Sequence, residues 1–333
     1  MENKNVVLDI KNLTITFEVD GDVIQAVNDV SLTVHEGETL GLVGETGAGK
    51  TTTALAALRL VPDPPGIIKS GEITVCGHDI MKATPKQLEK IRGEEISMIF
   101  QDPMTSLNPV FTVGEQIAES IALHQGVSKA EANEKAGDML EVVGIPRNRA
   151  TEYPHQFSGG MKQRVVIAIA LACNPKMLIA DEPTTALDVT IQAQVLDLMK
   201  DLKQKYGTGT IMITHDLGIV AEICDKVAVM YAGSIVEQGT LDEVFNNTKH
   251  PYTEGLMVSI PRLDTPSNER LDAIPGAVPH PLDLPKGCKF APRCKYCTQK
   301  CLEEEPPMTE VVPGQQVRCF YARKEERHAN LSK

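Results

Sequence analysis

Residues 39–58, TLGLVGETGAGKTTTALAAL, restrict the possible folds of this chain more than any other stretch. A short apolar run leads into a loop with glycines at 44, 47 and 49, and the loop leads into an alanine-rich segment of helical character. Gly44, four intervening residues, Gly49, Lys50 and Thr51 match the pattern G-x-x-x-x-G-K-S/T. Small residues at this spacing let successive backbone N–H groups curl around phosphate oxygens, and a strand before and a helix after are the setting the pattern requires. Lys50 is therefore expected to reach the β and γ phosphates of a bound nucleotide, and Thr51 to bind Mg2+. Thr46, Gly47, Ala48 and Thr52 complete the predicted cradle. A strand feeding a helix in this way predicts an α/β fold on a parallel sheet.

A nucleotide loop of this kind needs an acidic magnesium partner at the end of another strand. KMLIADEPTTALD supplies one, an apolar run ending in Asp181 and Glu182. Asp181 is placed to support Mg2+, and Glu182 to act as general base on, or to orient, the water that attacks the γ phosphate. The helix that follows is marked by Ile191, Val195, Leu198, Met199 and Leu202 at helical spacing, with Lys203, Lys205 and Gly207 as its stop signal. A third strand, TIMIT at 210–214, ends at His215, whose natural partner at such a strand tip is the γ phosphate.

At 333 residues the chain is long enough for more than one domain. No apolar run approaches the ~20 residues that cross a bilayer, and MENKNVVLDI lacks the segments of a secretory signal. The expectation is a chain neither exported nor membrane-spanning. A net charge of −12 with scattered Lys and Arg speaks against a nucleic-acid surface. Eight cysteines would stay reduced in a cytosol, which disfavours a disulfide framework. Cys76, Cys173 and Cys224 sit singly in apolar surroundings, as core residues do. The other five crowd into the last fifty residues, where only Cys294 and Cys297 have the C-x-x-C spacing of a zinc knuckle. Thiolate ligation suits zinc and an iron–sulfur cluster alike.

Between the strand motifs lies FSGGMKQR, Phe157 to Arg164, ahead of the apolar helix VVIAIALA. With it, the chain resembles the ATP-binding subunits of ABC transporters. Their signature reads here Ser158, Gly159 and Gly160, flanked by Phe157 and Met161 where many relatives have leucine and glutamine. A serine and glycine N–H groups at a helix N-terminus make an anion site, and the resemblance implies that it closes on the phosphate loop of a second subunit. It also implies that Gln101, in MIFQDP, touches Mg2+ and the attacking water while relaying contact from the membrane subunit. Asp188, in TALD, would belong to the loop crossing the dimer interface, and Phe17, in TITFEVDG, would stack on adenine. ATP and Mg2+ are the implied cofactors.

The implied fold is a P-loop NTPase of the ABC ATPase type. Its RecA-like parallel-sheet core would use 41–60, 95–101 and 165–240, its antiparallel β-subdomain 6–40 and 66–80, and a helical subdomain would be inserted at about 103–160. Within that insert Ser128 and Glu131 read as a capping box, and Ala136, Met139, Leu140 and Val143 line one helix face. One phosphate loop and one signature per chain imply two subunits paired head to tail.

After HPYTEGLMVSIPRL comes a proline-rich connector at 261–285, and then a tail with few large apolar residues that a metal centre would tie down. The HPYT segment, the connector and the pattern GC-x-F-x-x-RC resemble ATPases of dipeptide, oligopeptide and nickel importers. Carried over residue by residue, Cys288, Cys294, Cys301 and Cys319 would hold a 4Fe-4S cluster, with Cys297 as the spare ligand and Zn2+ as the alternative metal. The expected division is a nucleotide-binding domain at 1–250 and a cysteine-bearing extension at 251–333. The expected function is to power import of dipeptides or oligopeptides by ATP hydrolysis, with nickel as the alternative cargo. The implied partners are a second ATPase subunit, identical or similar, two transmembrane permease subunits and, indirectly, an extracytoplasmic substrate-binding protein. The implied location is the cytoplasmic face of the membrane. A DNA-repair type of ABC ATPase would need long heptad arms or a basic face, and neither is visible.

Overall fold

The computed structural model describes residues 5–184, 187–259 and 274–322. Strand β1 (Val6–Val19) and β2 (Asp22–His35) are followed by β3 (Thr39–Val43), then β4 (Gly66–Val75), β5 (His78–Asp79), β6 (Ile96–Ile99), β7 (Met177–Asp181) and β8 (Gly209–Thr214). The chain continues through β9 (Lys226–Tyr231) and β10 (Ser234–Thr240) to β11 (Thr309–Val312) and β12 (Gln315–Val317). The antiparallel sheet expected from 6–40 and 66–80 forms in the order β2-β1-β4-β5. Leu8 and Ile10, and then Leu13 and Ile15, are buried, so the two-residue alternation of β1 changes phase between them. Asn12 stands at that break with φ +48°, a left-handed conformation that Asn tolerates.

The chain separates into two compact units. The first comprises residues up to Asp9, Thr33–Thr39 and Ile73–Ile213. In it β6, β7 and β8 run parallel, with Ile96 opposite Met177 and Met177 opposite Gly209. Every residue of β7 and β8 is buried, the near-continuous apolar pattern of a parallel strand covered on both faces. The helical insert packs Val113–Gln125 and Lys129–Val142 through Ile117, Ile121, Ala136 and Leu140. A full capping box forms at Thr112 and Glu115. At Ser128 only half of the expected box appears: its hydroxyl accepts the Glu131 N–H, while the Glu131 carboxylate pairs with Lys135 one turn on. The helix Val189–Tyr206 ends as anticipated, with Lys203 and Lys205 in its last turn and Gly207 left-handed at the cap.

The second unit comprises Ile10–Leu32, Leu40–Glu72 and the chain from Thr214 onward. Here β3 runs parallel to β9, and β9 turns back into β10. β12 adds to the free edge of β10 with Glu237 opposite Val317, and β11 pairs in turn with β12 across the turn at Pro313 and Gly314. The tail thus contributes two strands that the apolar pattern did not announce. Of the proline connector, 261–273 lies outside the described residues, and 274–285 contains turns without helix or strand. No helix among the described residues is long and apolar enough to cross a membrane.

Candidate functional site

In the second unit the loop after β3 is shaped by close approaches that only glycine permits. A Cβ on Gly44 would lie 2.1 Å from the Met230 carbonyl oxygen, and one on Gly49, at φ +99°, would lie 2.4 Å from that of Ala26. Gly49 also starts the helix Lys50–Ala57, so the first free N–H groups of that helix open toward the loop. The Lys50 side chain is buried, and its ammonium donates to the Gly44 and Glu45 carbonyls at 2.7 and 3.1 Å. Thr46, Gly47 and Thr51 are exposed, Thr52 is half-buried and Ala48 is buried. Phe17, half-buried on β1, packs beside Gly66, and His215 is exposed immediately after β8.

In the first unit Asp181 ends β7 with 3% of its surface exposed. Glu182 follows in the left-handed region at φ +46°, a conformation that costs a non-glycine residue about 1–3 kcal/mol and turns its carboxylate sharply out of the strand. Its N–H is held by the Ile213 carbonyl at 2.9 Å, and its carboxylate accepts the Gln101 amide at 3.0 Å. Ser158 caps the helix Gly159–Leu171, accepting the Met161 N–H at 3.4 Å, and Ser158 and Gly159 are exposed. Gly160 sits so near Ile191 that a Cβ would approach it to 2.8 Å. Buried Phe157 carries the Arg149 guanidinium 4.4 Å over its ring. Asp188, exposed, caps Val189–Tyr206 by accepting the Ile191 N–H at 2.9 Å. Thr185 and Ala186, between Glu182 and Asp188, lie outside the described residues.

The tail of the second unit gathers four of its five cysteines. Cys288, Cys294, Cys301 and Cys319 line one small, mostly apolar cavity with His250 and Phe320, and all are free thiols. Cys297 is not part of that lining. Burial pushes the Cys288 thiol up to about 12 and the Cys294 thiol up to about 11. Among the described residues no three His, Cys, Asp or Glu side chains form a group that could hold a metal ion. Three buried cations adjoin the cysteines in sequence: Lys289, Arg293 and Arg318. Lys289 donates to the Ser234 hydroxyl at 2.8 Å, and Arg318 to Asp29 at 3.0 Å.

HPYT has a local logic. The Tyr252 N–H donates to His250 Nδ1 at 3.0 Å, capping the helix Pro251–Val258, and the N–H groups of Lys249 and His250 donate to the buried Glu237 carboxylate at 2.7 and 2.9 Å. The Tyr252 hydroxyl accepts the Glu45 N–H at 3.0 Å. Tyr231, Tyr252 and Phe290 pack as one cluster with ring centroids 4.6–5.5 Å apart. Sequence reasoning singled out HPYT but not its contact with the loop after β3, because Tyr252 and Glu45 lie 207 positions apart.

A glycine loop between strand and helix in one unit, with an acid pair after a buried strand and a serine-capped S-G-G helix in the other, defines an ABC-type ATPase. Residues 27–185 match the family model described as ABC transporter, and 236–301 match that of the oligopeptide/dipeptide transporter C-terminal region. The oligopeptide transport ATP-binding protein OppD of Bacillus subtilis is 54% identical over 91% of this chain and 86% of its own length. That of Salmonella typhimurium is 52% identical over 95% and 94%. The dimeric ATP-binding cassette MJ0796, solved in a post-hydrolysis state with ADP and Pi, superposes with TM-score 0.64 and 29% identity over 70% of this chain and 98% of that one. The chain belongs to the ABC transporter ATPases of the oligopeptide/dipeptide importer family.

The glycine geometry sets a contrast for mutation. Gly44→Ala, facing a backbone oxygen, should lower stability by at least ~2 kcal/mol in chemical denaturation. Gly159→Ala, with nothing within 4 Å of its Cβ, should stay within ~0.5 kcal/mol of the parent.

Proposed function

We propose that this chain is the ATP-hydrolysing subunit that drives import of oligopeptides or dipeptides, held peripherally on the cytoplasmic side of a membrane permease. The observation that carries this reading is the agreement in length and sequence with oligopeptide transport ATP-binding proteins at 54% identity. In this reading Gly44, Thr46, Gly47, Ala48, Gly49 and Thr52 cradle ATP, Lys50 meets its β and γ phosphates, and Thr51, Asp181 and Gln101 serve Mg2+. Glu182 accepts the proton of the attacking water, and its fixed, strained backbone and its bond to Gln101 support that role. His215 faces the γ phosphate and Phe17 the adenine. Ser158, Gly159 and Gly160 of one subunit close on the loop of another, with Asp188 at the crossing, and exposed Val189 beside it is 83% accessible in the isolated chain. The domain division is a nucleotide-binding part at 1–250, carrying the helical insert at about 103–160, and an extension at 251–333. Opening and closing of the ATPase pair, felt by two permease subunits near Gln101, would alternate access for cargo delivered by an extracytoplasmic binding protein.

We further propose that Cys288, Cys294, Cys301 and Cys319 hold a 4Fe-4S cluster. The convergence of these four thiols on one cavity supports this reading. Buried Lys289, next to Cys288 in sequence, fits the negative charge of thiolates. Cys297, outside the cavity, is not a ligand. When bound, the cluster would supply cross-linking of the tail, and the chain's own residues do the rest.

Glu182→Gln should bind ATP as the parent does, lose at least about a hundredfold in turnover and accumulate as an ATP-dependent dimer in light scattering; turnover at the parental rate would remove Glu182 from its role. Protein purified without oxygen should contain near four irons and four sulfides per chain, retained in Cys297→Ser and lost in Cys294→Ser. Stoichiometric zinc without iron would contradict the cluster.

A further inference from the structure

We propose that Arg293, in the cysteine-bearing tail, is a positioning residue for the nucleotide loop and acts by holding and neutralising Glu45. Glu45 is the second residue of the glycine loop, an acid set where a polyphosphate must bind. Arg293 Nη1 and Nη2 donate to its two carboxylate oxygens at 2.8 and 3.2 Å, a paired fork in which the Arg293 side chain is 4% exposed. The arginine is itself fixed. Its Nε donates to the Pro275 carbonyl at 3.0 Å and its Nη1 to the Tyr231 hydroxyl at 3.4 Å, and the guanidinium lies 5.8 Å from the Tyr231 ring centroid. The main chain of Glu45 has a separate anchor in the Tyr252 hydroxyl. One loop residue is therefore gripped at backbone and side chain by elements that no phosphate-binding motif contains.

Charge decides the consequence. Paired with Arg293, Glu45 presents little net charge to an incoming nucleotide. Unpaired, a carboxylate on the phosphate loop would repel the polyphosphate. Arg293 so raises nucleotide affinity without touching nucleotide.

The inference rests on reading Gly44–Thr52 as the nucleotide site, and the test separates the two. Fluorescence titration of the full chain with mant-ADP and Mg2+ is expected to show about tenfold weaker binding for Arg293→Gln, roughly a 1.4 kcal/mol loss. Glu45→Gln should stay within about threefold of the parent, and the Arg293→Gln, Glu45→Gln double variant should return to within about twofold of Glu45→Gln. Arg293→Lys, which keeps the charge and loses the fork, should bind within about threefold of the parent even where its melting temperature falls. Parental affinity in Arg293→Gln, or a double variant as weak as Arg293→Gln, would overturn the proposal. Should Arg293→Gln not fold, an Arg293→Lys affinity that drops in step with its melting temperature overturns it too. Parental binding by Lys50→Ala would instead overturn the loop assignment itself, and the inference with it.

Discussion

The loop after β3 is held by backbone contacts too close for any side chain, and the proposed cradling of polyphosphate by its N–H groups depends on that fixed shape. Gly44 is wedged against the Met230 carbonyl of β9 and Gly49 against Ala26 of β2. The Ala48 carbonyl accepts the Gly233 N–H from the β9–β10 turn at 3.0 Å. These contacts are too tight for a side chain, so the loop has one shape that neighbouring strands impose. The family's C-terminal extension adds to this frame. HPYT brings Tyr252 to the Glu45 N–H, the cysteine segment brings Arg293 to its carboxylate, and β12 braces β10 from its outer edge.

The first unit solves a different problem, the placement of charge at a strand end. Asp181 is buried at the tip of β7, where an unpaired carboxylate would be expensive unless a cation or donors attend it. Glu182 reaches out from a left-handed residue, and Gln101 holds it. Backbone strain of this kind persists only where surroundings over-determine it, here by the Ile213 carbonyl and the Gln101 amide. The signature helix depends on close packing in the same way, since Gly160 leaves no room beside Ile191.

Motifs whose chemistry is local could be read from the chain. The glycine loop, the Asp181–Glu182 strand end, the S-G-G cap and the Lys203–Gly207 helix stop each lie within a few residues, so spacing alone carries their geometry. The fold class followed from them. What escaped depends on distant pairing: Glu45 meets Tyr252 across 207 residues and Arg293 across 248. β11 and β12 are four and three residues long, and they pair by backbone with few apolar side chains, which leaves no periodic signal beyond the Pro313–Gly314 turn. The Ser128 box failed by half because Lys135, one turn past Glu131, competes for the carboxylate.

The fork from Arg293 and the Tyr252 hydroxyl join the glycine loop and the cysteine segment at Glu45 as one mechanical piece. Hydrogen exchange of the full chain, with and without MgADP, tests it most directly, because a coupled segment gains protection from a ligand it never touches. Exchange is expected to slow on nucleotide binding in the loop after β3 and also in the segment from Cys288 to Cys301. Protection confined to the loop, with the cysteine segment unchanged, would contradict it.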